Sequence, residues 1–339
     1  MNIRCIYKKI YYIIFFTFSS LTMLSCTQAE VLATTGEDVN MAINLQTRSL
    51  SDENALTGEE TLTNVYVFIY NSNYMLENGS DLSVTAGNLA SKRWVVKEGI
   101  KHVYVIANPD AELQTRLAAK PSRQELLSMI TNASSFDASV SNIPTKGILM
   151  AGKAESKQIT QNTATIDISL ERKMARVDFY LRKEANVSGS LVVKSVTLEN
   201  TRKAGKLYDE TNSYTYSIAN INAGTLTTTS GVVVTAVTSA PATDNTYTFV
   251  SYNYSFTNKL GSSFVETDVN KLNITIAYTE SGYTMTYNYV LYLSTNNTYG
   301  SSLSIVPNSV YQVKATIYKE GITLSVNGVT TITNSFVIS

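Results

Sequence analysis

Few side chains in this chain of 339 residues are equipped for chemistry. His102 is the one histidine, and Cys5 and Cys26 are the only cysteines. A Ser-His-Asp or Cys-His arrangement would have to use His102, which stands beside Val103 and Val105 in a strand-like run with no nucleophile elbow near it. A lone imidazole cannot build a His-based metal site, and no free thiol stands by to help it. Gly147-x-x-x-x-Gly152-Lys153 imitates a phosphate loop, but Ala154 stands where Ser or Thr is needed, and Lys146 rather than a strand precedes it. Any two carboxylates can meet in space as an acid/base pair, yet the acids here lie mostly in turns and polar loops, where solvated roles are the default. The expectation is a protein that is not an enzyme and holds no cofactor and no metal.

The chemistry that the chain does invite is processing. Arg4, Lys8 and Lys9 precede an apolar stretch at 10–18, too short for the roughly 20 residues of a membrane-spanning helix. Residues 1–25 therefore read as a secretion signal. Met23-Leu-Ser-Cys26 resembles the lipobox of bacterial lipoproteins, with Met23 where Leu is usual, which makes Cys26 the expected lipidation site. Cys5 lies in the signal, so the exported chain has no internal disulfide and must rely on cores and sheet ladders. Lys+Arg and Asp+Glu are 27 each, a balance that offers no electrostatic case for nucleic acid. No later apolar run reaches membrane-spanning length.

The elements around these residues read as β-structure. Val39, Met41, Ile43 and Leu45 alternate with Asn40, Ala42, Asn44 and Gln46, a strand with one apolar face, after a tether-like stretch at 27–38. Arg48 and a polar stretch at 49–60 follow. Residues 65–70 (Val-Tyr-Val-Phe-Ile-Tyr) form a continuous apolar run, a core strand ending at Asn-Ser-Asn. Strands are expected at 94–96 and 102–107, with Gly99 at a hairpin turn between them and Asn108-Pro109 as the stop. Ser122 and Glu125 form a capping box, so 122–131 is the best helix candidate.

Short strands at 148–150 and 165–170 precede alternation over 174–181. The second half is more uniformly β, with strand patterns at 191–198, 214–218, 231–237, 246–256, 272–278, 283–293 and 309–318, and Ser281-Gly282 as a two-residue hairpin turn. Ile322, Leu324 and Val326 are followed by Asn327-Gly328, a hairpin or strand-break signal, and then by residues 329–338. The expected break between two β-rich, sandwich-like domains falls at 182–190. Tyr283, Tyr287 and Tyr289 share one face of a strand. Cross-strand packing is their ordinary role, and stacking on sugar rings is the functional alternative.

The order of several blocks resembles the fimbrillin family, the fimbrial subunit lipoproteins of Bacteroidales-type bacteria. These blocks are the lipobox at Cys26, the strand at 39–45 with Thr47-Arg48, Leu62–Asn71, Val103–Asn108, Leu149-Met-Ala-Gly152, Leu170–Asp178 and Pro307–Val313. The family often has a Trp after its final Val strand, where this chain has Asn327-Gly328. The resemblance implies an all-β protein with one or two short helices, built as two tandem transthyretin-like β-sandwich domains at 49–183 and 184–339. It implies a lipidated propeptide at 26–48, cut by an Arg-specific surface protease after Arg48 so that Ser49 becomes the N-terminus. Removal of the first strand (Val39, Met41, Ile43, Leu45) would open a groove that a C-terminal strand of a neighbouring subunit fills. Ile322, Leu324 and Val326, or Val329, Ile332, Phe336 and Ile338, are the candidate donors. The partners implied are copies of the chain, other fimbrial subunits, the outer membrane through the lipid before processing, and a host or bacterial surface ligand.

The physics agrees with that scheme. Loss of the first strand exposes apolar side chains and unpaired backbone groups, and a foreign strand with the same alternation restores both. Burying four such side chains is worth roughly 6–12 kcal/mol before association costs are subtracted. The alternatives are a fimbrial anchor that keeps its lipid and first strand, or a monomeric surface lipoprotein that binds glycans through its tyrosines.

Overall fold

In the computed structural model, the described residues are 36–47, 58–59, 61–77, 82–85, 91–132, 147–201, 204–208, 225–234, 236–237, 248–258, 262–294, 298–318 and 323–333, with single positions 56, 88 and 260. All that follows concerns the unit formed by Asp38–Ser339.

The apolar run at 65–70 becomes β2 of the fold (Asn64–Asn71), after β1 (Asp38–Thr47). Strand β2 is buried on both faces, which is why its sequence does not alternate. Val65, Val67 and Ile69 face one core, and Tyr66, Phe68 and Tyr70 face another. Around it run β3 (Leu82–Thr85), β4 (Trp94–Lys97), β5 (Gly99–Ala107), the short β6 (Ile130–Asn132), β7 (Met150–Ile159) and β8 (Thr165–Arg172). The strand order is β3-β2-β5-β7-β8-β1-β4. Strands β7 and β8 pair only at Met150–Arg172 and Ala151–Glu171, so the sheet folds over there and closes a core between its two halves.

Gly99 sits at φ +120°, but it does not close a hairpin. Strand β4 pairs with β1, whereas β5 pairs with β2 and β7. The glycine instead turns the chain from one layer to the other, because both strands carry inward-facing apolar residues for the same core. The helix expected near 122–131 is present as Arg123–Ser128, with both hydrogen bonds of the Ser122–Glu125 capping box. A helix over Ala111–Ala118 precedes it and went unread in the sequence; Asp110 caps it by accepting a hydrogen bond from the Leu113 N–H at 2.7 Å. These helices, α1 (Ala111–Ala118) and α2 (Arg123–Ser128), bring Leu113, Leu117 and Leu126 onto the second face of β2 and β5. Ser122→Ala should destabilise the protein by about 1 kcal/mol in chemical denaturation, since it leaves the Glu125 N–H without its acceptor.

The later strands are β9 (Met174–Glu184), β10 (Ser190–Glu199), β11 (Ala204–Lys206), β12 (Thr225–Val234), β13 (Ala236–Val237), β14 (Phe249–Phe256), β15 (Lys271–Glu280), β16 (Tyr283–Tyr292), β17 (Ser309–Tyr318) and β18 (Thr323–Thr333). One sheet has the order β12-β10-β15-β16, and the other contains β13-β9-β17-β18 with β14 also on β9. Phe179, Leu181, Val193, Val196, Ile274, Ile276, Val313 and Ile317 fill the space between them. Strand β9, which the expected boundary assigns to the N-terminal part, is hydrogen-bonded to β14 and β17. The expected 182–190 break contains the turn from β9 to β10, which both contribute to that core.

Ser281 (φ 52°) and Gly282 (φ +81°) form the expected two-residue turn between β15 and β16, a pairing that fits a type I′ geometry. Asn327-Gly328, by contrast, neither turns nor ends the strand. It lies within β18, where two residues oppose Lys314 alone: Val313 pairs with Val329 and Ala315 with Val326. This is a β-bulge, the other structural use of a glycine in alternating sequence. The strand expected at 214–218 lies outside the described residues.

Candidate assembly site

Strand β1 is held on both sides. Residues Asp38–Met41 pair antiparallel with Lys97–Trp94 of β4, and Ala42–Thr47 pair parallel with Thr165–Leu170 of β8. Its apolar face is as the sequence predicts. Val39, Met41 and Ile43 are buried, and Leu45 packs against the same core as Trp94, Val96, Ile166, Ile168 and Leu170. Its polar face is light: Asn44 Nδ2 donates to Asp167 at 2.9 Å, and Asp38 meets Lys97 at 2.9 Å. Removing β1 would leave β4 with no strand partner among the described residues, and would bare the backbone edge of β8.

Arg48 and Ser49, which directly follow β1, and Cys26 lie outside the described residues. So do Ile322, Phe336 and Ile338. Leu324, Val326, Val329 and Ile332 fall in β18, which pairs antiparallel with β17 of its own chain and ends that sheet. The structure thus places the predicted first-strand residues in the N-terminal core and four of the candidate donor residues in the strand that ends the other sheet.

A buried charge cluster lies downstream of β1. Arg176 grips Asp178 with two hydrogen bonds, Nε to Oδ1 at 2.6 Å and Nη2 to Oδ2 at 2.9 Å. Its Nη1 reaches Glu59 at 2.7 Å, and the Tyr254 hydroxyl donates to the same carboxylate at 2.9 Å. Glu59 and Asp178 are fully buried and Arg176 is nearly so. Burial would pull the Arg176 pKa down, but the charges of Asp178 and Glu59 outweigh it and hold it up. Burial pushes the Asp178 carboxyl up to about 6, although Arg176 opposes the shift. The cluster ties the segment that follows the expected cut to β9 and β14. Sequence reasoning missed Glu59, which looks like one acid among several in a polar stretch.

Asn108 is a second clamp. Its Oδ1 accepts from Thr63 N at 2.8 Å, and its Nδ2 donates to Thr61 O and Ile148 O at 2.7 and 2.9 Å. Gly147 packs so closely here that a Cβ would lie 2.2 Å from Thr61 O and 2.3 Å from Asn108 Nδ2.

The lone histidine is buried in β5. Its Nδ1 faces Ser156 N at 3.4 Å and its ring lies 4.7 Å from that of Tyr74. Burial and the nearby Arg123 lower its pKa. Beside it Glu155 receives hydrogen bonds from Tyr104, from Arg123 Nη2 at 2.6 Å and from Lys153 at 2.9 Å. Burial alone would raise the Glu155 pKa, but these donors hold it at about 2 against an ordinary 4.5. The folded carboxyl thus binds its proton later than the unfolded one. Its stabilisation is present above pH 4.5 and is lost as pH falls toward 2. Glu155→Gln should flatten acid unfolding over that window by on the order of 1 kcal/mol, after allowance for solvent screening at this partly exposed site.

A cleft of about 470 Å³ opens where β7 and β8 part. Lys153, Lys157 and Lys173 alternate around it with Glu155, Asp167 and Glu171, so it presents no field of one sign. No group of His, Cys, Asp and Glu able to hold a metal occurs among the described residues. No helix among them is long and apolar enough to cross a membrane. On β16 Tyr283 is 78% exposed, while Tyr287 and Tyr289 stack at 6.4 Å and lean on the core.

An all-β, sandwich-like fold with a strand-filled core, and two short α-helices among the described residues, is the class these features define. Residues 38–180 match the family model described as the major fimbrial subunit protein (FimA), which bears out the resemblance to fimbrial subunits read from the sequence. Among solved structures, the chain is similar to the tip fimbrial protein Mfa3 from Porphyromonas gingivalis with C-terminal truncation. That match has 12% identity and a TM-score of 0.56, and covers 87% of this chain and 99% of that one. It is also similar to a candidate cell adhesion protein from Bacteroides eggerthii (17% identity, TM-score 0.55, 88% of this chain, 96% of that one). A candidate cell adhesion protein from Parabacteroides distasonis follows (14% identity, TM-score 0.52, 87% and 96%). No curated protein matches the sequence.

Proposed function

We propose that this chain is a structural subunit of a cell-surface fimbria that supports adhesion. It is exported as a lipoprotein acylated at Cys26, cut after Arg48 by an Arg-specific protease, and polymerised by donor-strand exchange. The observation that carries this reading is β1. It fills the N-terminal core with Val39, Met41, Ile43 and Leu45, yet it is the first strand of the described residues and Arg48 follows it in the sequence. Its withdrawal opens a groove rimmed by β8 on one side and β4 on the other. The match of residues 38–180 to a fimbrial subunit family supports the role, and that family is one of structural subunits rather than enzymes.

Arg48→Ala, expressed in a cell that assembles the wild-type chain, should stay uncut and monomeric. A multimer ladder as strong as that of wild type would overturn the reading. Tyr283 and the stacked Tyr287/Tyr289 pair favour a second one, a lipid-anchored monomer that binds glycans. It requires an acylated Cys26 and an intact β1 on the mature protein.

A further inference from the structure

Strand β16 is the sheet edge that the fold leaves open. Among the described residues β15 is its only strand partner, and the two keep register over the whole of Lys271–Glu280 and Tyr283–Tyr292. The other sheet ends are guarded. Strands β3 and β4 have four residues each, β6 and β11 three, and β13 two. Strands β12 and β18 slip register with their partners, and β14 has no exposed residue. Natural sheets blunt their edges in such ways, or with charge and proline, because a bare edge templates another strand. Strand β16 has ten residues, no bulge and no proline, and no Asp, Glu, Lys, Arg or His occurs from 281 to 313. Its inward face is also incompletely covered. Leu291 is 2% exposed and Tyr287 and Tyr289 pack on the core, but Met285 is 49% exposed and Tyr283 78%.

We propose that β16 is a self-association edge, which pairs antiparallel with β16 of a second copy about a two-fold axis at Tyr287. In a two-residue hairpin the closing pair, here Glu280 and Tyr283, bonds in both directions. The odd-numbered residues of β16 therefore turn their N–H and C=O groups to β15, and Thr284, Thr286, Asn288 and Val290 turn theirs to the open edge. An antiparallel copy must match open residues to open residues, so only registers that keep odd opposite odd are allowed. One of these pairs all five inward residues among themselves: Tyr283 with Leu291, Met285 with Tyr289, and Tyr287 with its own copy. The uncovered start of each strand then lies beside the covered end of the other. The Thr284–Val290 and Thr286–Asn288 pairs, in both directions, exchange about eight backbone hydrogen bonds. The charge pattern favours a second copy as the occupant. It opposes no like charges, whereas a strand rich in Lys, Asp or Glu would find no counter-charge on β16. The inference does not depend on strand exchange, because β1 and β16 belong to different sheets.

Sedimentation of the uncut chain carrying Cys26→Ser, which has no acyl anchor, reads the stoichiometry with β1 still in place. With β16 unaltered it should form a closed dimer rather than open aggregates, because a two-fold contact uses the same surface on both copies. Thr286→Lys/Asn288→Lys sets Lys opposite Lys twice, and should weaken the dimer about tenfold with the circular dichroism spectrum unchanged. Thr286→Glu/Asn288→Lys sets Glu opposite Lys twice, and should restore the dimer. Equal weakening by both variants overturns the register while leaving the edge contact intact. A dimer that the double-lysine variant leaves untouched overturns the proposal. So does Val95→Lys, at a 57% exposed residue of β4, if it weakens the dimer as much. A chain that stays monomeric to about 100 μM also overturns it, and leaves the tyrosine face to another occupant such as a glycan.

Discussion

Arg176→Ala is expected to cost about 3–5 kcal/mol of stability at pH 7.5, measured by chemical denaturation of the uncut chain. The reason is what the substitution leaves behind. Glu59 and Asp178 are both fully buried, and Arg176 is the cation that pairs with both of them. Truncating it strands two carboxylates in one low-dielectric site, whereas the methylenes it also removes account for a smaller part. The pH dependence identifies the cause. In the intact protein Asp178 already binds its proton at about pH 6, above its ordinary 3.8. A raised carboxyl pKa means the folded state takes up a proton before the unfolded state does, so acidification through 6 favours the fold as far as this group is concerned. Without Arg176 the Asp178 pKa moves higher still. The variant should therefore regain more stability than wild type between pH 7.5 and 5. A loss under 1 kcal/mol, or an equal loss at both pH values, would mean that Arg176 does not hold the two buried carboxylates in place.

Ile43→Ala has an effect that should depend on processing. Ile43 is 3% exposed in the core that β1 fills. Its truncation should cost the uncut chain about 2–5 kcal/mol through lost burial and a residual cavity. If β1 leaves on maturation, the assembled fibre no longer contains this residue. The fibre built from the variant should then resist denaturant as the wild-type fibre does. An equal loss of stability in the uncut chain and in the fibre would show that β1 stays in place.

Much of this could be read in the residues, for reasons that differ from element to element. The alternation at 39–45 gave away β1 because one face meets the core and the other carries Asn40, Asn44 and Gln46. The unbroken run at 65–70 marked a strand covered on both sides, although the second cover, α1 and α2, is distant in sequence or weakly patterned. The helix at Ala111–Ala118 hid behind Asn108-Pro109, which looked only like the end of a strand; Asp110 was the available signal. Gly99 and Asn327-Gly328 were legible as irregularities but not in kind. A glycine at positive φ serves a hairpin, a corner or a bulge equally well, and the partner strand decides among them.

The boundary between the two groups of strands was obscured for a related reason. Strand β9 shows the same alternation whichever sheet it joins, and its partners β14 and β17 lie far along the chain. Glu59 and Trp94 were the least legible parts of the site. A buried carboxylate in a polar loop and an unsatisfied indole in a short strand have no local pattern; only the assembled core makes them conspicuous.

The central claim is that the mature subunit lacks β1 and carries a neighbour's strand in its place. The most direct test is the N-terminal residue and apparent size of the protein taken from the native cell surface. A Ser49 start, in a denaturant-resistant ladder of multimers, is the predicted result. An acylated Cys26 start on a monomer would contradict it.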